Sequence, residues 1–146
     1  MKIVLQRVGQ AHVMVDGVEV GRIGRGLCLL VGIEKGDTAA DVEKLARKSA
    51  ELRVFPDGQG KMNLSVAEAG GSILAVSQFT LAGSTDRGRR PSFDEAEEPA
   101  RAAELFRTFV ENLRGRGLAV STGVFQAMMM VHIENDGPVT FILDSR

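Results

Sequence analysis

The sequence predicts an α+β domain built mostly on antiparallel, barrel-like sheets, with two main amphipathic helices. Three observations carry this reading. Strand-like segments come in runs rather than in strict alternation with helices. Asp16-Gly17, a strong hairpin signal, stands between two of those segments. Two separate stretches, near residues 38–52 and 99–113, space their apolar residues as one face of a helix.

In chain order, Ile3 to Val8, Ala11 to Val15 and Val18 to Ile23 read as strands. Leu27 to Ile33 is nearly all apolar, as expected of a central strand buried on both faces. Thr38 with Asp41 three residues on has the form of a capping box. Val42, Leu45, Ala46, Ser49 and Leu52 then give the first helix its apolar face. Arg53 to Phe55 reads as a short strand before a Pro56-Asp57-Gly58 turn, and Ser65 to Ala69 as a single helical turn. Ser72 to Leu81 reads as a strand that is apolar at first and polar at its end. Ala82 to Pro91 is a loop rich in Gly, Ser and Arg. The second helix is expected from about Pro99, a good first-turn residue, to Leu113, with Gly115 and Gly117 ending it. Two last strands, Phe125 to Glu134 and Val139 to Leu143, flank Asn135-Asp136-Gly137-Pro138. No linker, repeat or low-complexity tract divides the chain, so residues 1–146 read as one domain.

A chain of 146 residues with 44% hydrophobic and 25% charged residues has enough apolar side chains for a core without metal or disulfide staples. Its single cysteine, Cys28, permits no intrachain disulfide and sits in an apolar run as a core residue would. The longest apolar run is too short to span a bilayer, and the N-terminus alternates like a strand rather than like a signal peptide. The expectation is a cytoplasmic protein without membrane contact. A formal net charge of −1 argues against a broad, sequence-blind binder of DNA or RNA. With no Trp or Tyr, the chain is also poorly stocked for stacking single-stranded bases. His12 and His132 lie in expected strands and form no zinc pattern with Cys28, and there is neither a phosphate loop nor a nucleophile elbow. No cofactor and no metal are expected.

Two segments say more. They are Ser77-Gln78-Phe79-Thr80-Leu81 and Asn135-Asp136-Gly137-Pro138-Val139-Thr140. Either alone reads better as ordinary structure, the first as a strand end and the second as a plain turn. Together with Gln6-Arg7-Val8, Arg53-Val54-Phe55, Gly60-Lys61-Met62-Asn63, Arg90-Pro91-Ser92-Phe93 and Gly123 to Val131, in order and along the whole chain, they resemble the D-aminoacyl-tRNA deacylases. Gly9-Gln10, Met128 and Met130 depart from that pattern, which touches peripheral contacts and the packing of a dimer interface.

The resemblance implies a hydrolase of the ester between a D-amino acid and its tRNA, with aminoacyl-tRNA as partner and no DNA. It implies that Ser77, Gln78, Phe79 and Thr80 form the catalytic segment, with backbone near Phe79 and Thr80 facing the scissile carbonyl. The 2′-hydroxyl of the terminal adenosine would assist. A Thr80 nucleophile is the alternative, weakened by the lack of an adjacent base. It further implies that Gly137-Pro138 is cis, enters the active site of a second subunit in a homodimer, and rejects L side chains sterically while leaving glycyl-tRNA a substrate. By the same resemblance Arg7 holds that dipeptide, and Phe125 and Met129 lie near the pocket. Arg87, Arg89 and Arg90 suit phosphate contacts of the tRNA, or simply form a solvated loop. Two other readings remain: a non-catalytic RNA-binding module, and a proofreading deacylase for a wrong L-amino acid.

Overall fold

The computed structural model describes residues 1–146. The elements are β1 (Lys2–Val15), β2 (Val18–Ile23), β3 (Gly26–Gly32), α1 (Ala39–Glu51), β4 (Phe55–Pro56) and β5 (Met62–Leu64). Next come β6 (Ser72–Ser77), a 3-10 turn (Phe79–Ala82), α2 (Pro99–Gly115), β7 (Val120–Thr122) and β8 (Met130–Asp144). The main sheet runs β2-β1-β3-β6-β7, and β8 pairs with β1 along nearly its whole length. Gly21 of β2 lies so close to β7 that a Cβ there would stand 2.4 Å from the Thr122 carbonyl oxygen. Ser121 Oγ donates to the Arg22 carbonyl at 3.2 Å, so the sheet nearly closes into a barrel.

β1 pairs antiparallel with β2, β3 and β8, as does β4 with β5, whereas β3–β6 and β6–β7 are parallel. The parallel half arises because α1 and α2 each carry the chain back across the sheet between consecutive ladder partners. Side chains alternate between two cores. Leu27, Leu29, Val31, Ile73 and Ala75 pack with Leu45, Phe106 and Phe109 of the helices. Cys28, Leu74 and Val76 face the other way, into a smaller cluster with Val8, Ala11, Val13 and Ile23. Both cores are built on β3 and β6, so neither is separable from the other. Burial pushes the Cys28 thiol up to about 12, which leaves it an unreactive packing residue.

α1 begins as its sequence says: Asp41 N–H donates to Thr38 Oγ1 at 3.4 Å and Thr38 N–H to Asp41 Oδ2 at 2.9 Å. The Asp16-Gly17 turn has both residues at positive φ, 48° and 77°, the form that joins twisted strands. Other boundaries differ from expectation. Ile3 to Val8 and Ala11 to Val15 are one strand; the register shifts against β8 near Val8 are bulges, not a break. Phe125 to Glu134 is not a strand throughout, because Phe125–Ala127 turns, with Gln126 at φ 62°, and β8 starts at Met130. The expected strand 72–81 stops at Ser77 and becomes the 3-10 turn. The expected strand at 53–55 lies at Phe55–Pro56, paired with β5, which with β7 has too few residues to show a period.

Candidate active site

The first signature segment is built where β6 leaves the sheet. Gln78 N–H donates to Val31 O at 2.8 Å, the last bond of the parallel ladder, and the chain then curls. Leu81 N–H returns to Gln78 O at 3.2 Å, and Gly83 N–H to Thr80 O at 3.0 Å. Gly32 makes room: a Cβ there would stand 2.7 Å from Leu81 Cβ and 3.1 Å from Gln78 O. The curl leaves Ser77 and Gln78 half-buried and Phe79 and Thr80 exposed. The first N–H groups of a helical turn have no partner within it, and no side chain caps this one. Gln78 Nε2 instead donates to Thr80 Oγ1. No carboxylate or imidazole touches the Thr80 hydroxyl. The Phe79 ring meets Phe93 edge-on, centroids 5.1 Å apart. Phe93 was not singled out from sequence as a site residue, although it lies in one of the resembling segments.

The second segment is not the hairpin turn its composition suggests. Residues on both sides of it pair antiparallel with the same strand: Thr140 with Gln6 and Asn135 with Val8. Asp136 to Val139 therefore form an excursion from β8 opposite the single residue Arg7. The Gly137–Pro138 peptide is cis, and both residues are exposed. Arg7 lies beneath them. Its Nη1 donates to Val54 O at 2.7 Å, and a Cβ on Gly137 would come within 3.0 Å of its Nη2. Arg7 Nε stands 3.0 Å from Asp136 Oδ2, an ion pair by distance, but its N–H is not aimed for a hydrogen bond. Asp136 is half in solvent, so this pair contributes at most ~1 kcal/mol.

Within one chain, no hydrogen bond or ion pair joins Gly137 or Pro138 to Ser77–Thr80. Phe125 is packed towards α2, its ring 6.4 Å from that of Phe106, and Met129 is packed on the barrel-side core beside Gly123. Arg87, Arg89 and Arg90 are exposed on a loop closed by the Ser84–Ser92 bridge, and none forms an ion pair. His12 and His132 stack across β1 and β8 with centroids 4.3 Å apart. An open cleft of about 560 Å³ is lined by Glu51, Arg53, Glu68 and Arg116 among others and shares no residue with either segment. Its mixed charges fit a surface groove better than a reaction site.

Against known proteins, the model of the D-Tyr-tRNA(Tyr) deacylase family matches residues 4–144. The chain belongs to that family. The D-aminoacyl-tRNA deacylase of Geobacter sulfurreducens is 59% identical over 146 residues, covering 100% of this chain and 96% of the relative. That of Persephonella marina is 59% identical over 143 residues, covering 98% and 97%. A solved structure titled c-Myc DNA Unwinding Element Binding Protein superposes with a TM-score of 0.94 at 43% identity, covering 100% of this chain and 99% of the other. A probable eukaryotic D-amino acid tRNA deacylase superposes with a TM-score of 0.83 at 21% identity, a likeness of fold. The family is one of hydrolases that cleave the ester of an aminoacyl-tRNA. No helix of the structure is long and apolar enough to cross a membrane.

Proposed function

We propose that this protein hydrolyses the ester bond of D-aminoacyl-tRNA, releasing the D-amino acid and free tRNA, and that it spares L-aminoacyl-tRNA. The observation that carries the reading is the full-length family match with both signature segments at the surface, where a large RNA substrate can reach them. Water adds to the ester carbonyl carbon, the tetrahedral oxyanion collapses, and the 3′-oxygen of the terminal adenosine leaves with a proton. Backbone N–H groups of Phe79 and Thr80 are the proposed oxyanion donors; losing one such donor typically costs about 10²–10³ in rate. Ser77 and Gln78 hold that turn against β3. The 2′-hydroxyl of the substrate supplies the proton route that no side chain near Thr80 offers.

Gly137-Pro138 is the proposed chiral filter. The dipeptide presents backbone carbonyls and no side-chain donor, which suits holding an amino group and excluding an L side chain by volume. Glycine has nothing to exclude, so glycyl-tRNA is included among the substrates. The filter acts on the neighbouring subunit of a homodimer, because its own chain does not bring it to Ser77–Thr80. Support for a dimer comes from β8, an edge strand that exposes Met130 (64%) and Ile142 (76%) on either side of the excursion, with Met128 (90%) beside it. Arg7 supports the filter, Phe125 and Met129 line the approach, and Arg87, Arg89 and Arg90 meet tRNA phosphates. A net charge of −1 offers no general grip on DNA, and the substrate places the reaction in the cytoplasm.

The test is hydrolysis of matched D- and L-aminoacyl-tRNA carrying the same amino acid. Fast release from the D-ester with little from the L-ester is expected. Equal release removes the chiral filter; release of neither by folded protein removes the deacylase reading.

A further inference from the structure

Gly137-Pro138 stands on an unusual base. Between the Gln6–Thr140 and Val8–Asn135 pairs, β1 contributes one residue and β8 contributes four, Asp136 to Val139. A strand that loops out by three extra residues has no ladder of its own to fix it. The Asn135 side chain crosses the mouth of this loop. Its Nδ2 donates to the Arg7 carbonyl at 3.0 Å and to the Val139 carbonyl at 3.0 Å. Its Oδ1 accepts from Thr140 Oγ1 at 3.2 Å and from Gln6 Nε2 at 3.4 Å. Gln6 Nε2 also donates to Thr140 Oγ1 at 3.2 Å. Both donors and both acceptor positions of the amide are therefore used, and the partners fix its orientation: the reverse placement would aim an oxygen at two carbonyls.

We propose that Asn135 is a positioning residue that sets the chiral selectivity of the enzyme by tying the two ends of the Asp136–Val139 loop to each other and to the Arg7 backbone. This rests on the reading of Gly137-Pro138 as the filter. The tie acts at both ends of the loop, since Val139 closes it and Arg7 underlies its tip. Asn is the side chain short enough to sit at the loop's own base while offering two donors and an acceptor. Asp offers no donor and turns two contacts into repulsions between oxygens. The excursion is then free to shift, and a displacement near 1 Å at a reacting group can cost about 10²-fold in rate.

The experiment measures kcat/KM on D- and L-aminoacyl-tRNA for the wild type, Asn135→Asp and Thr140→Val, each first checked for folding by circular dichroism. For Asn135→Asp the D-ester value is expected to fall about 10²-fold with the L-ester value unchanged or higher, collapsing the D/L ratio. A merely structural role would lower both values together in proportion to the folded fraction and leave the ratio alone. Thr140→Val removes one contact to Oδ1 at nearly constant volume, and an intermediate fall in the ratio is expected. If Asn135→Asp does not fold, Thr140→Val decides: an unchanged ratio overturns the proposal and a several-fold fall supports it. A folded Asn135→Asp that keeps the wild-type ratio also overturns it. A wild type without D/L preference instead removes the filter on which the proposal rests.

Discussion

Replacing Asp37 with Ala should destabilise the protein severely, although Asp37 belongs to neither signature segment. The α-ammonium of Met1 is fully buried, held by Asp37 Oδ1 at 2.5 Å, Ser145 Oγ at 2.9 Å and Glu34 Oε2 at 3.1 Å. Asp37 Oδ2 also accepts the Glu34 backbone N–H at 2.6 Å. Removing one partner of a buried ion pair costs about 3–5 kcal/mol, because the remaining charge stays out of water. At about 3 °C per kcal/mol for a chain of this size, the midpoint should drop by about 10–15 °C. The assay is thermal and urea unfolding of wild type, Asp37→Ala and Asp41→Ala at one protein concentration. Asp41 serves the exposed capping box, so its loss should cost only about 1 kcal/mol. Equal drops for the two variants would refute the argument from burial. The same cluster sets a pH dependence. Burial pushes the Glu34 carboxyl up, but hydrogen bonds from Lys2 and the Met1 ammonium outweigh it and leave Glu34 below its ordinary 4.5. A depressed folded-state value gives stability that is complete above 4.5 and lost as pH falls through the folded value. Stability of Glu34→Gln should therefore fall less on acidification than that of wild type; parallel acid limbs would contradict this.

Three further outcomes are expected. Ser49 Oγ on α1 is buried without a hydrogen-bond partner, so Ser49→Ala should be stabilising by about 1 kcal/mol in urea titration, and a destabilisation of that size would mean an unseen partner. Thr80→Ala should keep its rate on D-aminoacyl-tRNA within about tenfold, since loss of a general acid–base role costs about 10²–10⁴ and Thr80 has no base beside it; near-total loss in folded protein would make the hydroxyl the nucleophile. Ala at Arg87, Arg89 and Arg90 together should raise KM and flatten its log–log salt dependence by about 2, at about 0.7 for each phosphate that is no longer neutralised; an unchanged slope would assign the loop to solvent.

Much of the fold was legible because its signals are local. Thr38 and Asp41 cap α1, Asp16-Gly17 turns a hairpin, and the apolar run Leu27 to Ile33 marks the buried strand β3. What was not legible depends on partners. Gly9 and Gln10 interrupt the apolar pattern of β1, yet the ladder to β8 carries the strand through them as a bulge. The pattern at Phe79 to Leu81 continues a strand, but Gly32 on a distant neighbour lets the chain curl there. Asn135 to Pro138 has every mark of a chain reversal, and only the shared partner β1 makes it an excursion. The site was readable as two segments by resemblance. The amide of Asn135 that braces one of them was not, because its four partners come from Gln6, Arg7, Val139 and Thr140, brought together by pairing across more than a hundred residues of sequence.

β1 ties the buried ammonium to the filter. From Lys2–Asp144 to Gln6–Thr140 its ladder with β8 runs without a slip, and the first register shift falls at the excursion itself. Lys2 and Ser145 sit at the anchored end, where Ser145 N–H donates to Met1 O at 3.0 Å and Lys44 Nζ to Ser145 O at 2.6 Å. Five residues therefore connect the Met1 anchor to Arg7, and a slip of the strand by one residue would turn every side chain to the opposite face. Anchoring Met1 to Glu34 and Asp37 thus fixes which residue of β1 lies under Gly137. Release of that anchor should loosen the ladder before the core melts. In Asp37→Ala, amide exchange at Ile3 and Leu5 should speed up by more than at Leu29 in the centre of β3; uniform acceleration would mean the anchor contributes to global stability alone.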